Sequence, residues 1–546
     1  MSTVIGINFG NTSSSVAVAT QDGKVDVIAN PDGDRAIPSA LSFVGSDEYH
    51  GFQAKSQLIR NPQNTIINFR DFVGKQFDEV STDASHQVGA KPIKATNGGI
   101  AYQVTINGNQ EVLTIDEVVK RHFKHLKLAA EDYTGKKVEG SVLTVPTDFN
   151  EHQRAVLTKI ANDAGIKVLQ LINEPSSALL AHLSSEEDKL LQDKMYAVVD
   201  FGGIRSDAAV ISVRGGVLTI LATAHEYGLG GENLDTALAE YFAKEFEKKT
   251  KVNPRTNARS VAKLQAESIV VKKTLSNVQT STCSIESLAE GLDFHTSINK
   301  LRFELTGRQT FSDMTAFVEK VVTKAGLETL DIDEVLLVGG SSHIPKLASN
   351  VSFIFPESTV VVAPALDGKA VDPSESVVRG AALQASLIES FDDEEIAESL
   401  APIVVNTQHL SKPIGIKDSE GKFVPIVVAE TAYPIKKSIE VTNGDSAAVI
   451  VELYEGKRTV KETVIEAEKS SDPEDSEDDY SDDEPEIKKE IVYEAGDLLA
   501  ELSLKDLKPN SKLEVTVNIT QNGTLHLSGR ELKQGSVAVK GEITSA

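Results

Sequence analysis

The feature that most restricts the fold of this chain is a duplication. "VIGINFGNTSSSVAVAT" (4–20) and "AVVDFGGIRSDAAVISV" (197–213) share one pattern: apolar strand, Asn or Asp, Phe-Gly, small or polar turn, apolar strand. A supersecondary unit that occurs twice predicts two related lobes. If the lobes face each other, each turn offers backbone N–H groups to a phosphate chain lying between them. Such a turn favours small residues at its tip, because side chains hold the backbone away from a ligand. The second copy carries Ile204 and Arg205 there, so the pattern predicts a nucleotide cleft with one altered turn.

Around the two copies, strand-like and helix-like segments alternate to about residue 385, the mark of α/β architecture. After "SVLTVP", Asn150 can cap a helix with Gln153 as its capping-box partner, Val156, Leu157, Ile160 and Ala164 share one face, and Gly165 stops it. A second helix follows Thr114, with Glu117 three residues on and a stripe of Ile115, Val119, Phe123 and Leu126. Both stripes read as packing faces.

Past residue 385 the pattern changes. "FDDEEIAESLAP" reads as a charged linker (386–402), and residues 403–546 have the alternation of β structure. Leu513, Val515, Val517 and Ile519 alternate, Asn522-Gly523 turns, and Leu525 and Leu527 resume the face, while Asn443-Gly444 marks an expected second hairpin. Between them, Glu466–Glu490 holds 13 acidic and 3 basic residues, whose mutual repulsion predicts disorder. That segment reads either as a solvated loop or as an acidic arm for a basic partner, tuned by phosphorylation at Ser476 or Ser481.

A net charge of −26 opposes direct binding to nucleic acid or to an anionic membrane. The one cysteine, Cys283, rules out an internal disulfide and reads as a packing residue. No leader-like start and no run of about 20 apolar residues is present, which predicts a cytoplasmic protein.

Further glycine turns complete the constellation: "YGLGGENLD" with Gly230 and Gly231, "LLVGGSSHIPK" with Gly339, Gly340, Ser341 and His343, and "AESIVVKKTLS" with Lys272, Lys273 and Ser276. With both hairpins, and with "LTVPTDFNEHQR", "INEPSSALLAH", "AEGLDFHTSI", "VVRGAALQA" and "VELYEG", the chain resembles the heat-shock-70 (DnaK-type) chaperone family along nearly its whole length. The resemblance implies a two-lobed actin-like ATPase domain over 1–385, then a short β-sandwich-like peptide-binding domain. The nucleotide would meet Gly10, Asn11 and Thr12, Gly202, Gly203, Ile204 and Arg205, Gly230 and Gly231, Lys272, Lys273 and Ser276, and Gly339, Gly340, Ser341 and His343.

The departures fall on the chemistry. Asn8 stands where the family has an aspartate near a hydrated Mg²⁺, leaving Asp200 and Asp207, with Asp200 as the residue to hold a metal through water. Arg70 in "NTIINFRDFVG" replaces the lysine that positions the attacking water, a planar fork in place of a compact ammonium. Ile204 hinders backbone approach, and Arg205 offers a charge-assisted bond to a phosphate in compensation. Ile269 replaces a ribose- or base-contacting glutamate and His343 an arginine, while Glu174 matches a glutamate near the metal waters or serves as a helix-capping carboxylate. Phosphoryl transfer rests on positioning, so a misplaced water costs on the order of a hundredfold or more in rate, whereas binding draws on many contacts. The expectation is ATP bound with little or no hydrolysis.

Only 23 residues follow Gly523, too few for the family's helical lid, and the linker lacks the leucine-rich run that couples the domains. Within the family these departures are most similar to the atypical fungal member of the ribosome-associated complex. That likeness implies a stable heterodimer with the J-protein zuotin, seating on the ribosome through that partner, stimulation of a second heat-shock-70-type chaperone, and contact with nascent polypeptides. Two other readings stay open, an autonomous ATP-hydrolysing chaperone and a nucleotide-free scaffold.

Overall fold

A computed structural model describes residues 2–20, 23–80, 89–185, 192–368, 370–389, 391–392, 394–396, 408–465, 486–533 and 536–543. The chain divides into two compact units, Met1–Ile211 with Ala222–Val405 and Ser212–Leu221 with Asn406–Ala546.

The duplication read from sequence is a duplication of sheets. In the first, Ser2–Phe9 pairs antiparallel with Ser13–Ala19 (Gly6 opposite Ala17, Asn8 opposite Ser15) and parallel with Lys137–Val145, which pairs parallel with Lys167–Asn173. In the second, Lys194–Phe201 lies between Arg205–Arg214 and the parallel strand Glu334–Val338, which pairs with Val360–Val362. Each sheet, six-stranded in the first copy and five-stranded in the second, therefore contains a hairpin and two parallel strands in the same order. The leading strand is packed on both faces in each copy (Ile5, Ile7 and Phe9 on one face and Gly6 on the other; Tyr196 and Val198 on one face and Val199 and Phe201 on the other). That burial explains their continuous apolar runs and leaves the two turns at the carboxyl ends of parallel strands, where open α/β sheets bind ligands.

The expected helices form. Glu151–Asp163 starts with the Asn150–Gln153 capping box and ends before Gly165, at φ 83°. Ile115–Thr134 starts on Thr114, whose Oγ1 accepts the Glu117 N–H at 3.3 Å, and buries Ile115, Val119, Phe123 and Leu126.

Ser376–Ile388 runs three residues past the boundary read at 385, because Ile388 is buried against Val142, Leu169 and Ala385. Its seat requires two glycines: a Cβ on Gly380 would lie 1.7 Å from the Ser177 carbonyl oxygen, and one on Gly6 would lie 2.3 Å from the Ala382 nitrogen. This helix thereby fixes the first sheet against Glu174–Leu183, the helix that carries Glu174.

Among the described residues the second unit holds two four-stranded antiparallel sheets. One runs Phe423–Val427, Ile414–Lys417, Val449–Ile465, Glu486–Leu504; the other runs Ile435–Thr442, Lys512–Ile519, Leu525–Glu531, Val539–Ile543. Leu513, Val515, Val517, Ile519, Leu525 and Leu527 form one core with Ile414, Ile416, Val451, Leu453, Leu502 and Leu504. The hairpin at Gly523 is present, with Thr520 N–H donating to Thr524 O at 2.9 Å and Gly523 at φ 77°.

Two expectations need correction. Asn443-Gly444 is a turn but not a hairpin: Ile435–Thr442 pairs with Lys512–Ile519, whereas Val449–Ile465 belongs to the other sheet. The Asn443 amide is buried and donates to Ser446 O and Lys508 O, so this turn carries the chain between sheets. The acidic segment also ends earlier than read. Glu486–Glu490 is paired strand, with Glu490 opposite Lys461 and Lys489 opposite Glu462, an ion pair at 3.1 Å. The remainder of that segment, and residues 390, 393 and 397–402 of the charged linker, lie outside the described residues.

Candidate functional site

The predicted turns converge. Gly231 N–H donates to Gly202 O at 3.0 Å, Glu232 N–H to Gly203 O at 2.7 Å, and Ser341 Oγ to Gly202 O at 3.0 Å. A Cβ on Gly203 would lie 2.5 Å from the Thr12 methyl, so the first hairpin turn meets the second. These glycines are demanded by protein packing as much as by any ligand. Gly340 differs: a Cβ there would find its nearest neighbour, Ser374 Oγ, only at 4.0 Å, which leaves its backbone accessible.

Below the turns lies a cage of ions. Arg205 is buried, and its fork is held by carboxylates: Nε donates to Asp207 Oδ2 at 2.7 Å, Nη2 to Asp207 Oδ1 and to Asp148 Oδ1 at 3.2 Å, and Nη1 lies 3.4 Å from Asp71 Oδ1. His225 Nδ1 is 2.7 Å from Asp207 Oδ1, and the Tyr227 ring lies under the guanidinium at 4.4 Å while its hydroxyl donates to Asp148. Arg70, also buried, donates from Nε to Asp71 Oδ1 at 2.9 Å and from Nη1 to Glu174 Oε1 at 2.8 Å. Asn11 locks the group together, with its amide donating to Asp71 Oδ2 at 2.9 Å and its oxygen accepting the Arg70 N–H at 3.1 Å. The Arg205 fork is thus committed to carboxylates rather than extended toward a phosphate, because three acids face it where it is shielded from water.

The same cage sets the protonation states. Burial raises the Glu174 carboxyl to about 8 against the pull of Arg70, with Asp207 and Asp200 adding to the rise. Burial and the Asp207 charge raise Asp200 to about 7. Burial would raise Asp207 too, but the His225 hydrogen bond and the Arg205 guanidinium hold it at about 2. Asn8, the residue in place of an acid, accepts Thr144 Oγ1 at 2.9 Å and adds no charge.

On the adenosine side the sequence-predicted residues are satisfied within the protein. Lys272 Nζ donates to Asp235 Oδ2 at 2.7 Å and to Gly231 O at 2.9 Å, Ser276 Oγ bonds back to Lys272 O at 3.1 Å, and His343 lies 3.1 Å from both Asp372 and Ser374. Lys273 is exposed. Ile269 is half-buried on the same helix, Ala258–Asn277.

The residues fit the two expected ligands unequally. Glycine turns from two lobes with an open backbone at Gly340 suit a phosphate chain. A hydrated Mg²⁺ does not fit: the cavity between Glu174, Asp200 and Asp207 is about 10 Å³, room for about one water, whereas Mg²⁺ keeps several of its own.

Sequence reasoning missed Asp71, Asp148, His225, Tyr227 and Asp235. Asp71, Asp148, Tyr227 and Asp235 stand inside quoted motifs beside residues that drew the attention. His225 carries no local signal and reaches the site only because Val217–Tyr227 lies beside Arg205–Arg214 in the sheet.

The family model described as Hsp70 protein matches residues 4–467. The chain is 50% identical to the ribosome-associated complex subunit SSZ1 of Saccharomyces cerevisiae, over 99% of this chain and 100% of that protein. It is 44% identical to heat shock protein 70 homolog C57A7.12 of Schizosaccharomyces pombe over 99% and 95%, and 32% identical to heat shock 70 kDa protein 14-A of Xenopus laevis over 84% and 89%.

Proposed function

This chain belongs to the Hsp70 family, and from that premise we propose that it is a regulatory subunit of a ribosome-associated complex, holding ATP as a structural ligand with little or no hydrolysis. One observation carries the silent-site reading. Both guanidinium groups at the catalytic end of the cleft, Arg70 and Arg205, are bound to Asp71, Asp148, Glu174 and Asp207, which draws their charge onto carboxylates of the protein and away from a water or a leaving phosphate; Arg205 Nη1 itself makes no hydrogen bond. Gly10, Asn11, Thr12, Gly202, Gly203, Gly340 and Ser341 would hold the phosphates.

In this reading the subunit forms a lasting heterodimer with the J-protein zuotin, reaches the cytoplasmic ribosome through it, and supports nascent-chain folding by stimulating a hydrolysing chaperone. The complex-subunit role is supported by identity running the full length of the SSZ1 protein. Among the described residues of 408–543 every named element is a strand, and four strands end sheets (Phe423–Val427, Glu486–Leu504, Ile435–Thr442 and Val539–Ile543). Free sheet edges suit a partner that adds a strand better than a clamp closed by a lid. Among the described residues no helix is long and apolar enough to cross a membrane.

A second reading, a scaffold without nucleotide, is favoured by the internal bonding of Lys272, Ser276 and His343. Mass spectrometry of nucleotide retained by the purified chain, with a single-turnover assay, separates the readings. Bound ATP without turnover supports the proposal, ADP with turnover overturns it in favour of an autonomous ATPase, and an empty protein overturns it in favour of the scaffold.

A further inference from the structure

We infer that Arg205 is a built-in substitute for a divalent cation, so that this cleft takes its nucleotide without metal. The inference rests on the nucleotide-binding reading above but extends it to a property of the protein that can be measured without any nucleotide.

One ligand atom each of Asp148, Asp207 and His225 lie within 4.8 Å of one another, a spacing that a single metal ion bridges. Asp71 adds a third carboxylate, 3.4 Å from Arg205 Nη1. Two aspartates and an imidazole, with a further carboxylate beside them, make a donor set suited to Mn²⁺ or Mg²⁺. The Arg205 fork stands inside that set. It bonds both Asp207 oxygens and Asp148 Oδ1, and its Nη2 lies 3.4 Å from His225 Nδ1. A metal needs these same lone pairs at about 2.1 Å, so ion and guanidinium exclude each other. The fork is also anchored from below by the Tyr227 ring, whose hydroxyl fixes Asp148, and lies in a side chain only 4% exposed. Displacing it would leave a buried cation without partners. Arg205 therefore supplies the positive charge that the acids require, and the acids supply the geometry that keeps it there.

The test uses the full chain, stripped of metal and nucleotide. Mn²⁺ is titrated in and free Mn²⁺ read by its paramagnetic resonance signal; binding of a fluorescent ATP analogue is then measured in chelator and in excess Mg²⁺. The parent chain is expected to bind no Mn²⁺ more tightly than about millimolar and to hold the analogue within about twofold with or without Mg²⁺. Arg205→Gly is expected to gain one Mn²⁺ site, tighter by about tenfold or more, and Arg205→Lys, which keeps the charge, to gain none. Tight Mn²⁺ binding by the parent, or an analogue affinity that rises about tenfold with Mg²⁺, overturns the inference. If Arg205→Gly fails to fold by circular dichroism, the parent and Arg205→Lys titrations still decide. Failure of the analogue to bind under any condition strikes the nucleotide reading, while the Mn²⁺ titration continues to judge this one.

Discussion

Replacing Arg205 by methionine keeps its length and removes its charge, and the structure sets what that costs. Asp207 is held from its ordinary 3.8 to about 2, against the pull of burial, a difference equivalent to about 2–3 kcal/mol at neutral pH. Arg205 shares that effect with His225, but it also faces Asp148 and Asp71, and breaking a buried ion pair by removing one partner costs about 3–5 kcal/mol. A loss of about 3 kcal/mol is therefore expected.

The pH dependence gives the sharper check. In the parent, Asp207 ionises below its unfolded value, so its contribution is complete above about pH 4 and is lost only as pH falls toward 2. In the variant, buried acids without a counter-charge bind protons more tightly folded than unfolded, so stability falls as pH rises above about 4. The gap between the two proteins should widen between about pH 5 and pH 8, the range over which those acids would have to ionise. Urea unfolding followed by circular dichroism measures it, since the chain has no tryptophan. A gap under about 1 kcal/mol, or one that stays constant across that range, would refute the claim that Arg205 neutralises the cage.

Other outcomes follow from the same geometry. Arg70→Lys alone should leave single-turnover hydrolysis undetectable, because Arg205 still closes the cage; restored turnover would make Arg70 the principal block. Glu334 is held at about 2: burial opposes this, but His182 at 2.9 Å and Lys194 at 2.6 Å prevail. Glu334→Gln should thus destabilise by about 2–3 kcal/mol at pH 7, with the gap to the parent narrowing as acid titrates the carboxylate below about pH 4. Gly380→Ala should cost at least about 3 kcal/mol and show as lost soluble yield, because the added methyl meets a backbone carbonyl that cannot move alone. Burial pushes the Cys283 thiol up to about 12, with Glu267 adding to the rise, so it should resist alkylation in the native chain and react fully once unfolded.

The sequence exposed what is periodic and hid what is brought together by topology. The paired sheets were legible because burial on both faces writes an apolar run around Ile5–Phe9 and again around Tyr196–Phe201. Caps at Thr114 and Asn150 were legible because side chain and backbone lie three residues apart. The turn at Asn443 was legible as a turn but not as a crossing between sheets, since its partner strand lies some seventy residues on. Arg205 marked itself by standing where glycine or a small residue belongs, yet its partners Asp71, Asp148 and His225 come from three separate segments that no local pattern connects. A residue's anomaly is visible in one dimension; its counter-charge is not.

The guanidinium inside the carboxylate cage has a consequence for how this protein meets its surroundings. A free ion is shared with every other binder in the cell, can be stripped by chelators, and rises and falls with supply. A charge carried on the polypeptide is issued once per molecule during translation, never dissociates and cannot be traded for a competing metal. Such a cleft would be indifferent to swings in the ionic composition of its compartment.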